Sequence, residues 1–112
     1  MELLIEELSG GVTRAALVGR MDIEGALSVD ERFRGLASLN RSIVVDLAGL
    51  TFMASMGLRT MVVAARSLGK AGGKMVFANA QNNVERVLET SGLSAMFGMY
   101  PSVETAVEAL KG

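Results

Sequence analysis

The sequence predicts one α/β domain: a mixed β-sheet, opened by an N-terminal hairpin and continued by parallel strands, flanked by about four helices. Two observations predict it. Apolar residues recur alternately at strand spacing and at helical spacing along the chain, and alternating strands and helices imply parallel neighbours joined by right-handed crossovers. Two strand-like runs also open the chain with only Ser9-Gly10-Gly11 between them, which implies a hairpin and hence a mixed sheet. At 112 residues the chain fits one compact domain, 1–112, and not two.

The elements follow in order. Leu3 to Leu8 and Val12 to Val18 read as the hairpin strands. After Gly19-Arg20-Met21, Asp22 stands where a helix N-cap belongs, and Ala26, Val29, Phe33 and Leu36 then recur at helical spacing. Gly25 and Gly35 weaken this helix, each by up to ~1 kcal/mol relative to Ala. Ile43-Val44-Val45-Asp46-Leu47 is a β-branched apolar run of the kind covered on both faces. From Met56 to Lys70 the period becomes helical, with Leu58, Met61, Val62, Ala65 and Leu68 on the expected inner face. Gly72-Gly73 breaks the chain before a buried strand, Met75 to Ala78. Asn82 or Asn83 is expected to cap a further helix with Val84, Val87 and Leu88 inward, stopped at Gly92. Met96 to Tyr100 reads as a short last strand, and Ser102 as the cap of a final helix carrying Val103, Ala106, Val107 and Leu110. The order is ββαβαβαβα.

Composition excludes several functions. There is no Cys and no His, which removes disulfides, thiol chemistry, the usual general base and the commonest metal ligand. A net charge of −1 argues against a nucleic-acid partner. A serine nucleophile with Lys70 or Lys74 as base has nothing to bring the pair together, and Gly69 to Lys74 lacks the spacing of a phosphate loop. No enzyme activity, cofactor or metal is therefore expected. The acidic start, with Glu2, Glu6 and Glu7, does not resemble a signal peptide, and no apolar run approaches the ~18 residues of a membrane span, so a cytoplasmic protein without direct membrane insertion is expected.

Ligand and partner sites in such sheets gather beyond the carboxyl ends of the parallel strands, which directs attention to the segment after Leu47. Leu50 to Leu58 joins a buried strand to an amphipathic helix, with Ser55 at or next to the N-cap. Its hydroxyl can accept a backbone N–H of the first turn, a contribution of about 1 kcal/mol. The same place also suits a phosphate, because the helix start offers free N–H groups and the positive end of the dipole. Gly57, with no side chain, would let another backbone approach. Met56, Arg59, Val63, Arg66 and Lys70 form the outward stripe of this helix, and their mixture of apolar and cationic side chains suits a protein interface.

Ile43-Val44-Val45-Asp46-Leu47, then Thr51-Phe52-Met53-Ala54-Ser55-Met56-Gly57-Leu58, then Gly72-Gly73 with its strand, resembles the signature of the STAS domain. So does Val84-Glu85-Arg86-Val87-Leu88-Glu89-Thr90-Ser91-Gly92-Leu93, and Gly19-Arg20-Met21-Asp22 is similar to the family's Gly-Glu-Leu-Asp stretch. The ordered set spans essentially the whole chain. The resemblance implies a STAS-like mixed sheet and the action of the anti-sigma factor antagonists. In those bacterial proteins the unmodified domain binds an anti-sigma factor that is also a serine kinase, and so displaces the sigma factor. Phosphorylation of the serine in Asp-Ser-(Ser/Ala)-Gly-Leu ends the interaction, and a phosphatase restores it. That serine matches Ser55 and the glycine matches Gly57. Ala54 stands in place of the family's Asp, and Met56 in place of a small residue. The resemblance implies Ser55 as phosphorylation site; with the outward stripe and the strand ends it makes Asp22, Asp46, Ala54, Met56, Gly57, Arg59 and Val63 the expected partner-binding set. Asp22 and Asp46 are expected near Ser55, shaping the kinase-docking rim or the family's nucleotide-binding surface; their plainer reading is a helix cap and a loop-capping acceptor. STAS domains also serve as accessory subunits of ABC-type lipid-transport complexes, binding the ATPase without phosphorylation, and as subunits of large signalling assemblies.

Overall fold

The computed structural model describes residues 1–39 and 42–111. β1 (Glu2–Glu7) and β2 (Val12–Met21) form the antiparallel hairpin around a short 3-10 turn at Ser9–Gly11. α1 (Ile23–Ala37), β3 (Ser42–Asp46), β4 (Leu50–Met53), α2 (Ser55–Lys70), β5 (Met75–Ala78), α3 (Asn82–Thr90), α4 (Leu93–Phe97), β6 (Met99–Tyr100) and α5 (Val103–Lys111) follow. The sheet runs β1-β2-β3-β5-β6, with β4 added to the far half of β2; β1–β2 is antiparallel and every other pair is parallel. The mixed sheet with its opening hairpin is therefore as expected.

Strand parity divides the core into two layers. Ala15, Leu17, Ile43, Val45 and Phe77 point to one face, where they meet Phe33 of α1, Met61 and Leu68 of α2, Leu88 of α3 and Leu93 of α4. Val12, Val44, Val76 and Ala78 point to the other, covered by Ala106 of α5. Val44 and Val45 are both fully buried, which is why this strand reads as a continuous apolar run.

The structure adds two elements to the expected order. β4 lies in what reads as a loop. β2 extends to Met21, past the expected end at Val18, and its register shifts between Gly19 and Arg20. Gly19 has φ 114°, a conformation that favours glycine, and its N–H bonds the carbonyl of Gly49 at 2.9 Å. One long strand thus pairs β3 with its first half and β4 with its second. The other addition is α4, five residues after the left-handed Gly92 (φ 84°), so β6 shrinks to Met99–Tyr100. Gln81, not Asn82 or Asn83, occupies the N-cap of α3; the amide of Asn83 instead donates to the carbonyl of Thr51 at 2.7 Å and ties α3 to β4. Ser102 caps α5 as expected, accepting from the Thr105 N–H.

α1 and α2 follow directly on the neighbouring parallel strands β2 and β4, so both helices start at the same end of the sheet. The N–H of Ala54 bonds the carbonyl of Met21 at 2.9 Å, fixing the two starts side by side. The phase of α2 is rotated from expectation. Gly57, Thr60, Met61, Ala64, Ala65 and Leu68 are buried, whereas Leu58 and Val62 are half-buried. Small residues at 57, 60 and 64 let the helix settle closely on its neighbours, and Leu58 leans towards α3, where it meets Arg86 and Val87 around a shallow cavity.

Candidate functional site

Asp22 takes the N-cap of α1 in extended conformation, and its Oδ1 accepts the N–H of Gly25 at 2.8 Å, the capping role its position predicts. Ala54 takes the matching N-cap of α2, where its methyl offers no acceptor. Ser55 is therefore the first helical residue rather than the cap. It is exposed, and its hydroxyl makes no hydrogen bond among the described residues. The expected capping contribution of Ser55 is absent because Ala54 holds the cap position and Ser55 is already helical.

Met56, Arg59 and Val63 come together as the stripe predicts. With Leu27, Asp30, Arg34 and Thr60 they line a cavity of about 240 Å3 between α1 and α2. Part of its lining is polar: the Thr60 hydroxyl lies 3.2 Å from a carboxylate oxygen of Asp30, which is paired with Arg34 at 2.9 Å. Leu27, 60% exposed, gives the cavity an apolar edge, and Ile23, 61% exposed, lies one turn earlier on α1. Periodicity could have found them: Ile23 and Leu27 are spaced by four and fall outside the inner face of Ala26, Val29, Phe33 and Leu36.

Two of the expected partner residues sit elsewhere. Gly57 is buried, and a side chain there would press on Met21 and Met53 at 2.9–3.1 Å. The absent side chain serves the internal approach of α2 to β2 and β4, so Gly57 is corrected from a docking surface to a packing position. Asp46 shares the face of Val44, the α5 side of the sheet, and is only 5% exposed. Its carboxylate accepts from Arg14 Nε at 2.9 Å and Nη2 at 2.8 Å, from the Asn79 amide at 3.1 Å and from the Ala48 N–H at 3.1 Å. The last bond is the loop-capping role of its plainer reading. Asp46 is a structural anchor on the opposite face from α2, not a rim residue beside Ser55.

Burial by itself would raise the carboxyl pKa of Asp46. The Ala48 N–H, the Asn79 amide and the Arg14 guanidinium together outweigh burial and hold it below its ordinary value. The group binds its proton less readily folded than unfolded, so its contribution is complete above the unfolded pKa of about 4 and fades as pH falls through the folded value. Asp46→Ala is expected to cost about 2–3 kcal/mol at pH 7, since it strands the donors around it. Asp46→Asn is expected to lose stability less steeply than wild type between pH 5 and 3 in thermal melts; parallel curves would show that the carboxylate contributes nothing.

Among the described residues no group of three or more His, Cys, Asp or Glu side chains could hold a metal ion, and no helix is long and apolar enough to cross a membrane.

The STAS domain family model matches residues 7–106, so the chain belongs to the STAS family. A relative from Bordetella bronchiseptica, which carries the provisional name anti-sigma factor antagonist BtrV, is 29% identical over 118 residues, covering 99% of this chain and 96% of the relative. The crystal structure of an anti-sigma factor antagonist from Mycobacterium paratuberculosis superposes with a TM-score of 0.89 at 23% identity, over 99% of this chain and 94% of that one. The anti-sigma factor antagonist SpoIIAA in its unphosphorylated form gives 0.82 at 20% identity, over 99% and 97%. The Bacillus SpoIIAA in the phosphorylated form gives 0.75 at 19%, over 96% and 98%. At these identities the structural likeness is one of fold.

Proposed function

We propose that this protein is an anti-sigma factor antagonist, a binding module rather than an enzyme, which docks an anti-sigma factor on the shared N-terminal end of α1 and α2 and so frees a sigma factor. Docking uses the apolar side chains of Leu27, Met56 and Val63 along the groove and of Ile23 one turn before Leu27, with Arg59 and the Asp22–Ala54 edge at its border. The partner is also the kinase that phosphorylates Ser55, a phosphatase reverses the modification, and the cycle runs in the cytoplasm. The observation that carries this reading is the exposed, unbonded hydroxyl of Ser55 at the start of α2, one residue before Met56, which lines the α1–α2 groove together with the largely exposed Leu27. The names of the relatives support it over the transporter-subunit reading.

Leu27→Glu tests the docking face. Leu27 is 60% exposed, so the change should leave the thermal midpoint near wild type. A charge in the middle of an apolar contact should weaken binding to the cognate anti-sigma factor at least tenfold, or by more than about 1.4 kcal/mol. Isothermal titration calorimetry of the purified pair measures it. Unchanged affinity would remove the groove from the interface, and no binding to any anti-sigma factor of the host would remove the function.

A further inference from the structure

We propose that Arg59 is the residue that reads the state of Ser55, by capturing the phosphate and leaving the docking groove. The proposal rests on the reading that Ser55 is modified, and adds how the modification is sensed. The kinase would transfer the terminal phosphoryl group of a nucleoside triphosphate to Ser55 Oγ, with loss of the hydroxyl proton and release of the diphosphate.

Ser55 is the first residue of α2 and Arg59 lies four residues on, so the two side chains are neighbours on one helix face. The order is the favourable one, with the anion N-terminal to the cation and at the positive end of the dipole. A helical side chain leaves its Cα towards the helix N-terminus, which aims Arg59 back at Ser55. Arg59 is exposed and makes no ion pair among the described residues, so nothing competes for it. It also lines the α1–α2 cavity beside Met56 and Val63. In the unmodified protein Arg59 lines the docking groove. In the modified protein a planar, doubly donating cation faces a dianion and is drawn to the head of the helix. The modification therefore adds negative charge to the docking surface and removes a cation from it.

The other charged groups nearby are otherwise engaged or on other flanks. Asp30 and Arg34 are paired with each other. Arg20 lies over the Phe52 ring, 4.5 Å from its centroid. Arg86 borders the separate cavity beside Leu58, with Glu85 and Glu89 on the same helix. Asp22 caps α1 and Glu24 sits in its first turn; both repel a phosphate.

The test is a 31P NMR pH titration of the full chain carrying phosphoserine at position 55. Arg59 should hold the second ionisation of the phosphate roughly 0.3–1 unit lower in wild type than in Arg59→Gln. The Nε–H resonance of Arg59 should shift with the same midpoint, a response that a merely structural role would not give. Unmodified Arg59→Gln should melt like wild type; should it fail to fold, Arg59→Lys serves instead, and should keep the charge effect with a smaller shift. Equal phosphate titrations in wild type and Arg59→Gln would overturn the proposal, as would a shift lost in Arg20→Gln or Arg86→Gln but kept in Arg59→Gln. The titration contains no anti-sigma factor, so its failure and the failure of the proposed function are seen in separate experiments.

Discussion

Gly25→Ala is expected to destabilise the protein by about 3 kcal/mol or more, while Gly35→Ala, ten residues along the same helix, is expected to stabilise it by up to ~1 kcal/mol. Both glycines lie in α1, and composition weighs them alike. Their surroundings do not. A Cβ at Gly25 would collide with the carbonyl oxygen of Arg20 and press on the capping carboxylate of Asp22 at 3.2 Å. The obstacle is backbone at the end of β2, which cannot rotate away as a side chain does. The helix start would have to lift, breaking the Asp22–Gly25 cap and disturbing the seat of Ala26, which is only 1% exposed. At Gly35 a Cβ meets nothing within 4 Å, so only the lower helix propensity of glycine counts. Urea denaturation midpoints should move in opposite directions. Equal small shifts would mean that α1 is not held against β2 at its first turn.

The pattern of strands and helices was legible because each long element buries one face and so carries its own apolar period. What escaped were elements whose existence depends on distant partners. β4 is four residues long and forms only because β2 bends at Gly19 and offers its far half as an edge. α4 has five residues, too few for a period to show. The inner face of α2 was legible in part: Met61, Ala65 and Leu68 are buried and Leu58 and Val62 pack against the core, but the small residues Gly57, Thr60 and Ala64, which bulk does not mark, lie deeper than Leu58.

At the candidate site, the clustering of Met56, Arg59 and Val63 was legible because one helix face is a local property of the sequence. Asp46 and Gly57 were not, since each depends on which face of which layer it meets. Asp46 lies two residues from Val44 and must share its face, yet sequence does not say that α5 covers that face and α2 the other. Leu27 was in plain view but needed the position of α2 to become part of a groove rather than a scattered exposed residue.

Ser55→Asp should keep the fold and weaken docking at least tenfold. At the first position of α2 a carboxylate faces the positive end of the helix dipole, a favourable contribution of about 0.3–1 kcal/mol, so the thermal midpoint should stay at or slightly above that of wild type. Nothing internal is lost, because the hydroxyl it replaces has no partner among the described residues. By the same token Ser55→Ala should melt like wild type and bind like it. The charge acts on the partner instead. A docked surface would exclude water around Ser55, so a carboxylate placed there must be desolvated on binding, and it draws Arg59 away from the groove. Ala54→Asp separates charge from position. One residue earlier, at the N-cap itself, the carboxylate can fold back onto a first-turn N–H, so the variant should gain about 1 kcal/mol of stability. It restores the acidic residue of the family motif and should speed phosphorylation of Ser55 by a cognate kinase. Thermal melts, calorimetric affinities and a phosphorylation time course on the three variants distinguish these roles. If Ser55→Asp binds as tightly as wild type, Ser55 is not the switch, and the groove is a constitutive docking face whose occupancy is set by the partner alone.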